Sequence, residues 1–154
     1  MPAAEPVFDD LYREVILDHY RRPRNRGRLG GATATAEGMN PVCGDNVVLD
    51  VRVEDGCIAA LGFEGEGCSI SLASASMLTQ EVAGHTPSEA AAIADGVTGM
   101  LVEGREPGHE LGDLAALEGV AQFPARVKCA LLCWNVLRQA LGEEMRDDPA
   151  RRTR

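Results

Sequence analysis

Near the start of the chain Phe8, Leu11, Tyr12, Val15, Ile16 and His19 recur every three or four positions, which places them on one face of a helix. The pair Asp9-Asp10 caps its start, and Pro23, which has no amide hydrogen to give, stops it. The period then changes from helical to alternating. Residues 33–37 read as a short strand, and Val47, Leu49, Val51 and Val53 alternate with Val48, Asp50, Arg52 and Glu54 as a half-buried strand does. Cys57, Ala59, Leu61 and Phe63 carry the apolar face of a returning strand. They match Val53, Val51, Leu49 and Val47 if Glu54-Asp55-Gly56 is a three-residue loop with Gly56 in the left-handed conformation. In that register Asp45 faces Gly65 and Cys43 faces Gly67, so the open end of the hairpin gathers Cys43, Asp45 and Cys68.

Residues 69–83 are rich in Ala and Ser, with Ile70, Leu72, Met77, Leu78 and Val82, and Gly84 follows; this predicts a helix packed closely on the sheet. Thr86-Pro87-Ser88-Glu89 is a capping box with proline at the first helical position, opening a helix that runs to about Glu103. Residues 104–122 form an ordered insertion in which Leu111, Leu114 and Leu117 suggest one short helical turn. Val127, Ala130, Trp134, Leu137 and Leu141 mark the core stripe of a last helix, and Pro124 ahead of it puts Cys129 in or near the first turn. The chain of 154 residues, 45% hydrophobic, is expected to form one domain over residues 1–142, with residues 143–154 as a flexible tail.

Charge and cysteine content narrow the function classes. A net charge of -9 argues against general nucleic-acid binding, although five arginines cluster in residues 21–28, where they suit a helix C-terminus or a docking patch for an acidic partner. No apolar run is long enough to span a membrane, and the N-terminus has neither a basic start nor a signal core, so a soluble cytoplasmic protein is expected. Five cysteines in a chain with an adequate core point to metal binding or thiol chemistry rather than a disulfide framework.

Gly44 lies between Cys43 and Asp45, and Gly67 precedes Cys68, so both loops can bend around a small object. Three thiolates and a carboxylate satisfy tetrahedral zinc, and the same set can hold an iron-sulfur cluster; spacing does not choose between them. Lys128, the single lysine, precedes Cys129, with Arg126 close by. Positive charge and an early helical position lower a thiol pKa, which makes Cys129 the candidate nucleophile or sulfur acceptor. Cys57 reads as a core residue. Cys133, one turn after Cys129, reads as packing, with a spare thiol or auxiliary ligand as the alternative. His19, His85 and His109 show no metal-ligand spacing; His85 and His109 are expected at the surface.

Four segments together carry a family resemblance: Asp18-His19-Tyr20 with Pro23-Arg24-Asn25-Arg26-Gly27; Asn40-Pro41-Val42-Cys43-Gly44-Asp45; Phe63-Glu64-Gly65-Glu66-Gly67-Cys68-Ser69-Ile70-Ser71; and Phe123-Pro124-Ala125-Arg126-Val127-Lys128-Cys129. From about Phe8 to Leu141 the chain resembles the IscU/NifU N-terminal iron-sulfur assembly scaffolds, and within them the SufU branch. The resemblance implies an α+β fold of SufE/NifU-like type. In it a three-stranded antiparallel sheet packs against about five to six helices, with the metal site at one end. It also implies Cys43, Asp45, Cys68 and Cys129 as ligands of zinc, or alternatively of iron or a [2Fe-2S] cluster. The implied partners are a SufS-type cysteine desulfurase and, downstream, a SUF scaffold or apo iron-sulfur proteins. Lys128 stands where the cluster-building branch usually has histidine, and this departure, with the insertion, favours the SufU branch. Cys133 departs from the alanine expected there.

Overall fold

The computed structural model describes residues 10–41 and 43–146, so Phe8, Asp9 and residues 147–154 lie outside the described residues. In chain order the elements are α1 (Asp10–Arg21), β1 (Ala34–Asn40), β2 (Asp45–Glu54), β3 (Cys57–Glu66), α2 (Ser69–Val82) and α3 (Pro87–Val102). A 3-10 stretch (His109–Gln122) and α4 (Pro124–Arg146) complete it. The strands form one antiparallel sheet in the order β1-β2-β3. The fold is the expected α+β arrangement of a three-stranded sheet against five helical elements. No helix among the described residues is long and apolar enough to cross a membrane.

The hairpin departs from its predicted register. Glu54 pairs with Cys57, leaving a two-residue turn, Asp55-Gly56, with φ of 53° and 78°. Both turn residues are left-handed, as the tightest hairpin turns require, and aspartate followed by glycine tolerates this best. A bulge then shifts the pairing between Arg52 and Val53, so that Val51 meets Leu61, Leu49 meets Phe63 and Val47 meets Gly65. The extra residue is Ala59, which is exposed; Ile58 takes the core position expected for Cys57, which is half-buried. Simple alternation carries no signal for a bulge, and one inserted residue is enough to exchange the two faces.

Helix α2 is the centre of the molecule. Eleven of its residues are buried, including Ser71, Ser74 and Ser76, because sheet, α1 and α4 all pack against it, and small side chains let them approach. On α4, Ala130, Trp134, Leu137 and Leu141 are buried as predicted. This helix continues past Gly142 to Arg146, so the first residues assigned to the flexible tail are helical. The capping box at Thr86 is formed in full. The insertion is more regular than the single turn expected: fourteen residues of 3-10 helix, kinked at Gly112, with Leu111, Leu114 and Leu117 fully buried.

The arginine-rich segment closes the outer edge of β3, where Gly27 N–H donates to Phe63 O (2.6 Å) and Phe63 N–H to Asn25 O (3.1 Å). Four of its five arginines are engaged within the chain: Arg22 and Arg24 with Asp18, Arg26 with Glu64 and the Gly65 carbonyl, and Arg28 with Asp50. The Asp50 side chain is only 2% exposed, and it also accepts hydrogen bonds from Leu29 N–H (3.0 Å) and the Thr35 hydroxyl (2.6 Å). The Arg28 guanidinium holds its carboxyl well below the usual carboxylate range, assisted by those two donors.

A carboxylate whose folded pKa is depressed stabilises the fold above its unfolded pKa, near 4, and loses that contribution as pH falls through the folded value. Replacing Asp50 by alanine therefore destabilises the protein at neutral pH by about 3 kcal/mol, since it leaves two donors without their acceptor. The difference from wild type shrinks in denaturant titrations carried stepwise from pH 7 to pH 2.

Candidate metal centre

Four sequence-separated groups meet beyond the open end of the hairpin. Asp45 opens β2 opposite Asn40 of β1, Gly44 N–H donates to Asn40 O at 2.8 Å, and Cys43 is exposed to solvent. Asp45 is 2% exposed. Its Oδ1 accepts the Cys68 N–H at 3.0 Å, and its Oδ2 lies 3.8 Å from Cys68 Sγ. Cys68 is the N-cap of α2, and its sulfur accepts the Ser71 N–H at 3.4 Å, so this thiol sits where a helix favours negative charge. Gly67 makes this approach possible. A Cβ there would stand 2.7 Å from Asp45 Oδ1, so what the position requires is empty space beside the carboxylate.

Cys129 reaches the same place from α4. It is fully buried, with Sγ 3.5 Å from Cys43 Sγ and 3.6 Å from the Ala125 carbonyl. One donor atom each from Cys43, Asp45 and Cys129 lies within 4.8 Å of the others. Cys68 stands outside that mutual set but touches its Asp45 carboxylate. Three thiols and one carboxylate are a donor set for tetrahedral zinc or a sulfur-ligated cluster, and the gathered atoms fit such a group without a new fold element.

The surroundings of Cys129 differ from the sequence expectation. Burial, followed by the neighbouring Asp45 carboxylate and Cys43 sulfur, pushes its thiol well above the ordinary value. Two geometric reasons oppose activation. The helix begins at Pro124, so Cys129 lies in the second turn, where the terminal dipole has faded. Lys128 is exposed and lines an outward groove with Met39, Asn40, Pro41 and Leu131. Arg126 does lie at the thiols: the charge of Cys68, then that of Cys129, raises its own pKa.

The remaining candidates fall elsewhere. Cys57 is at the turn end of the hairpin, away from Asp45. Cys133 is buried on α4 against Ser74 Oγ (3.4 Å), and burial pushes its thiol up to about 12, in keeping with a packing role. His85 and His109 are exposed as expected. His19, by contrast, is fully buried and hydrogen-bonded to Ser76 and Asp113; the apolar-face spacing announced its burial, but nothing local pointed to a partner in the insertion.

The profile of the family described as NifU-like N terminal domain matches residues 11–130. The zinc-dependent sulfurtransferase SufU of Bacillus subtilis is 43% identical over 139 residues, covering 89% of this chain and 93% of that one. The iron-sulfur cluster assembly scaffold protein IscU of Streptococcus pyogenes is 44% identical over 136 residues, covering 87% and 84%. The crystal structure of a nitrogen-fixing NifU-like protein (N-terminal) from Brucella abortus superposes with a TM-score of 0.81 at 26% identity, covering 91% of this chain and 98% of that one. The chain belongs to the NifU-like N-terminal domain family.

Gly67→Ala tests the packing of the site without removing a donor atom. The added methyl group displaces the Asp45 carboxylate, and metal retention in a chelator competition weakens by about tenfold, the scale typical for disturbing a group that orients a ligand. Far-ultraviolet circular dichroism remains that of the wild type.

Proposed function

We propose that this member of the family serves iron-sulfur cluster assembly as a zinc-dependent acceptor of sulfur from a SufS-type cysteine desulfurase. In this reading Cys43, Asp45, Cys68 and Cys129 are the metal ligands and Cys129 is the acceptor. The observation that carries it is the 3.5 Å approach of Cys129 Sγ to Cys43 Sγ beside the buried Asp45 carboxylate. Zinc-dependent sulfurtransferase is also the name of the Bacillus subtilis relative.

Zinc, when bound, supplies the charge that keeps these thiols deprotonated. This chain's own residues then divide the work. Cys43 is the exposed member, open to an approaching partner, while Cys129 is held beneath it at the start of α4. Asp45 holds the Cys68 amide and with it the N-terminus of α2, so the site keeps its shape while one thiolate reacts. Arg126 lies beside Cys68 and Cys129 and offsets the negative charge of the sulfurs. The transfer is a displacement at the outer sulfur of the desulfurase persulfide. The Cys129 thiolate forms a new S–S bond to that sulfur, the S–S bond within the persulfide breaks, and the desulfurase cysteine leaves as a thiolate.

A second reading is a scaffold that builds and passes on an iron-sulfur cluster at the same four residues, as the name of the Streptococcus pyogenes relative suggests. The recipient in the first reading is a SUF scaffold or an apo iron-sulfur protein, to which the persulfide moves next.

The zinc form is mixed with its desulfurase and cysteine, and persulfides are trapped and mapped by mass spectrometry. Sulfur transfer puts the added sulfur on Cys129, accelerates desulfurase turnover, and loses that acceleration in Cys129→Ser. Cys57→Ser leaves it unchanged. Full stimulation by Cys129→Ser, or label settling on Cys133, contradicts the assignment, while a stable coloured cluster formed from iron and sulfide without zinc supports the scaffold.

A further inference from the structure

The buried His19 sits outside the metal centre, yet it joins three elements. From α1 its Nδ1 lies 2.7 Å from Ser76 Oγ on α2, and its Nε2 lies 2.9 Å from Asp113 Oδ2 in the 3-10 stretch. The carboxylate can only accept, so Nε2 carries the proton. Ser76 Oγ already accepts the Arg24 N–H at 2.8 Å, leaving its own hydroxyl hydrogen for Nδ1. Serine, histidine and aspartate in a row resemble a hydrolytic triad. Here, however, Ser76 is fully buried and its oxygen is engaged by the backbone, so no substrate reaches it.

Asp113 directly follows the kink. Gly112 has φ 53° and ψ -128°, and a Cβ on it would stand 2.5 Å from the Glu81 carboxylate, which accepts the Asp113 N–H at 3.3 Å. Gln80 adds a bond to Asp113 Oδ2 at 2.8 Å. The bond from His19 is a polar contact from the interior to this kink, beside the buried side chains of Leu111 and Leu114. Downstream the 3-10 stretch has no slack before α4: Phe123 N–H donates to Val120 O (2.9 Å), and Arg126 and Val127 N–H both donate to Phe123 O (2.8 and 3.0 Å). A shift of the 3-10 stretch therefore passes directly into the first turns of α4, which carry Cys129.

We infer that His19 is a positioning residue for Cys129. By pinning Asp113 it fixes the 3-10 stretch, and so sets the depth at which the Cys129 thiol meets Cys43 and Asp45. This rests on the proposed reading of Cys129 as a metal ligand. The buried latch adds a polar anchor to the apolar ones, Leu111, Leu114 and Leu117, that already seat this stretch in the core.

The test uses the full-length zinc protein prepared without air, and its cobalt-substituted form, with His19→Ala, Asp113→Ala and His19→Gln. In both alanine variants, amide hydrogen exchange speeds up through residues 109–122 and into 124–129. The cobalt absorption spectrum changes, and zinc affinity in a chelator competition falls by about tenfold. His19→Gln, whose amide N–H can still reach Asp113, recovers much of the loss. Ile58→Val, at the turn end of the sheet, controls for general destabilisation and leaves the cobalt spectrum unchanged. If His19→Ala does not fold, Asp113→Ala decides, since that side chain is 43% exposed. Alanine variants that fold and keep the wild-type cobalt spectrum and zinc affinity overturn the inference, as does a loss no greater than that of the control. If the wild type itself binds no metal through thiolates, it is the proposed function that fails, and hydrogen exchange then decides whether the latch exists.

Discussion

The hydrogen bond from the Cys68 amide to the Asp45 carboxylate ties the first residue of β2 to the cap of the helix against which α1, β3, the 3-10 stretch and α4 pack. A bond to a buried charged acceptor contributes about 1.5–3 kcal/mol, and leaving that carboxylate unsatisfied would cost more than the bond provides. Its geometric consequence is larger than its energy. With α2 seated on the sheet, Ser74 donates to the Ala130 carbonyl and accepts from Trp134 Nε1 and the Cys133 thiol, which fixes α4 against α2. That seating brings Cys129 under Cys43. The same carboxylate that organises the fold is a donor in the proposed metal centre, so that site and the core would share one constraint.

Much of this was legible in the sequence, for reasons that are local. The capping box at Thr86, the Ala/Ser pattern of α2 and the stripe on α4 each state their own structure within a few residues. At the open end of the hairpin Asp45 lies with Cys43 and touches Cys68, the neighbourhood that the alternation points to, although the observed register differs from the predicted one by two residues in most of the ladder. The error was tolerable because the loops on both sides of the sheet end converge on Asp45. What was not legible depends on contacts between distant segments: the Ala59 bulge, the inward bond of His19 to Asp113, and the closure of the β3 edge by residues 25–27. Of the arginines that look like a docking patch in a linear reading, Arg22, Arg24, Arg26 and Arg28 are each paired with a carboxylate in three dimensions.

The pull on Cys129 shows why a burial argument and a charge argument must be weighed together. Sequence neighbours suggested an activated thiol, but a sulfur removed from water beside a carboxylate and another sulfur is held in its neutral form. A buried Cys129 thiol gathered with other soft donors is suited to chemistry conditional on a metal. The Arg126 guanidinium, against Cys68 and Cys129, limits the repulsion such a cluster of sulfurs would otherwise carry. Metal binding would therefore depend on the set of donors together, not on any single cysteine.

X-ray absorption at the zinc edge of the protein purified without air reads that donor set. The expected spectrum has a shell of sulfur at about 2.3 Å from Cys43, Cys68 and Cys129 with one oxygen at about 2.0–2.2 Å, and Asp45→Ala loses the oxygen contribution. A shell dominated by nitrogen, or protein that takes up no zinc, would contradict it.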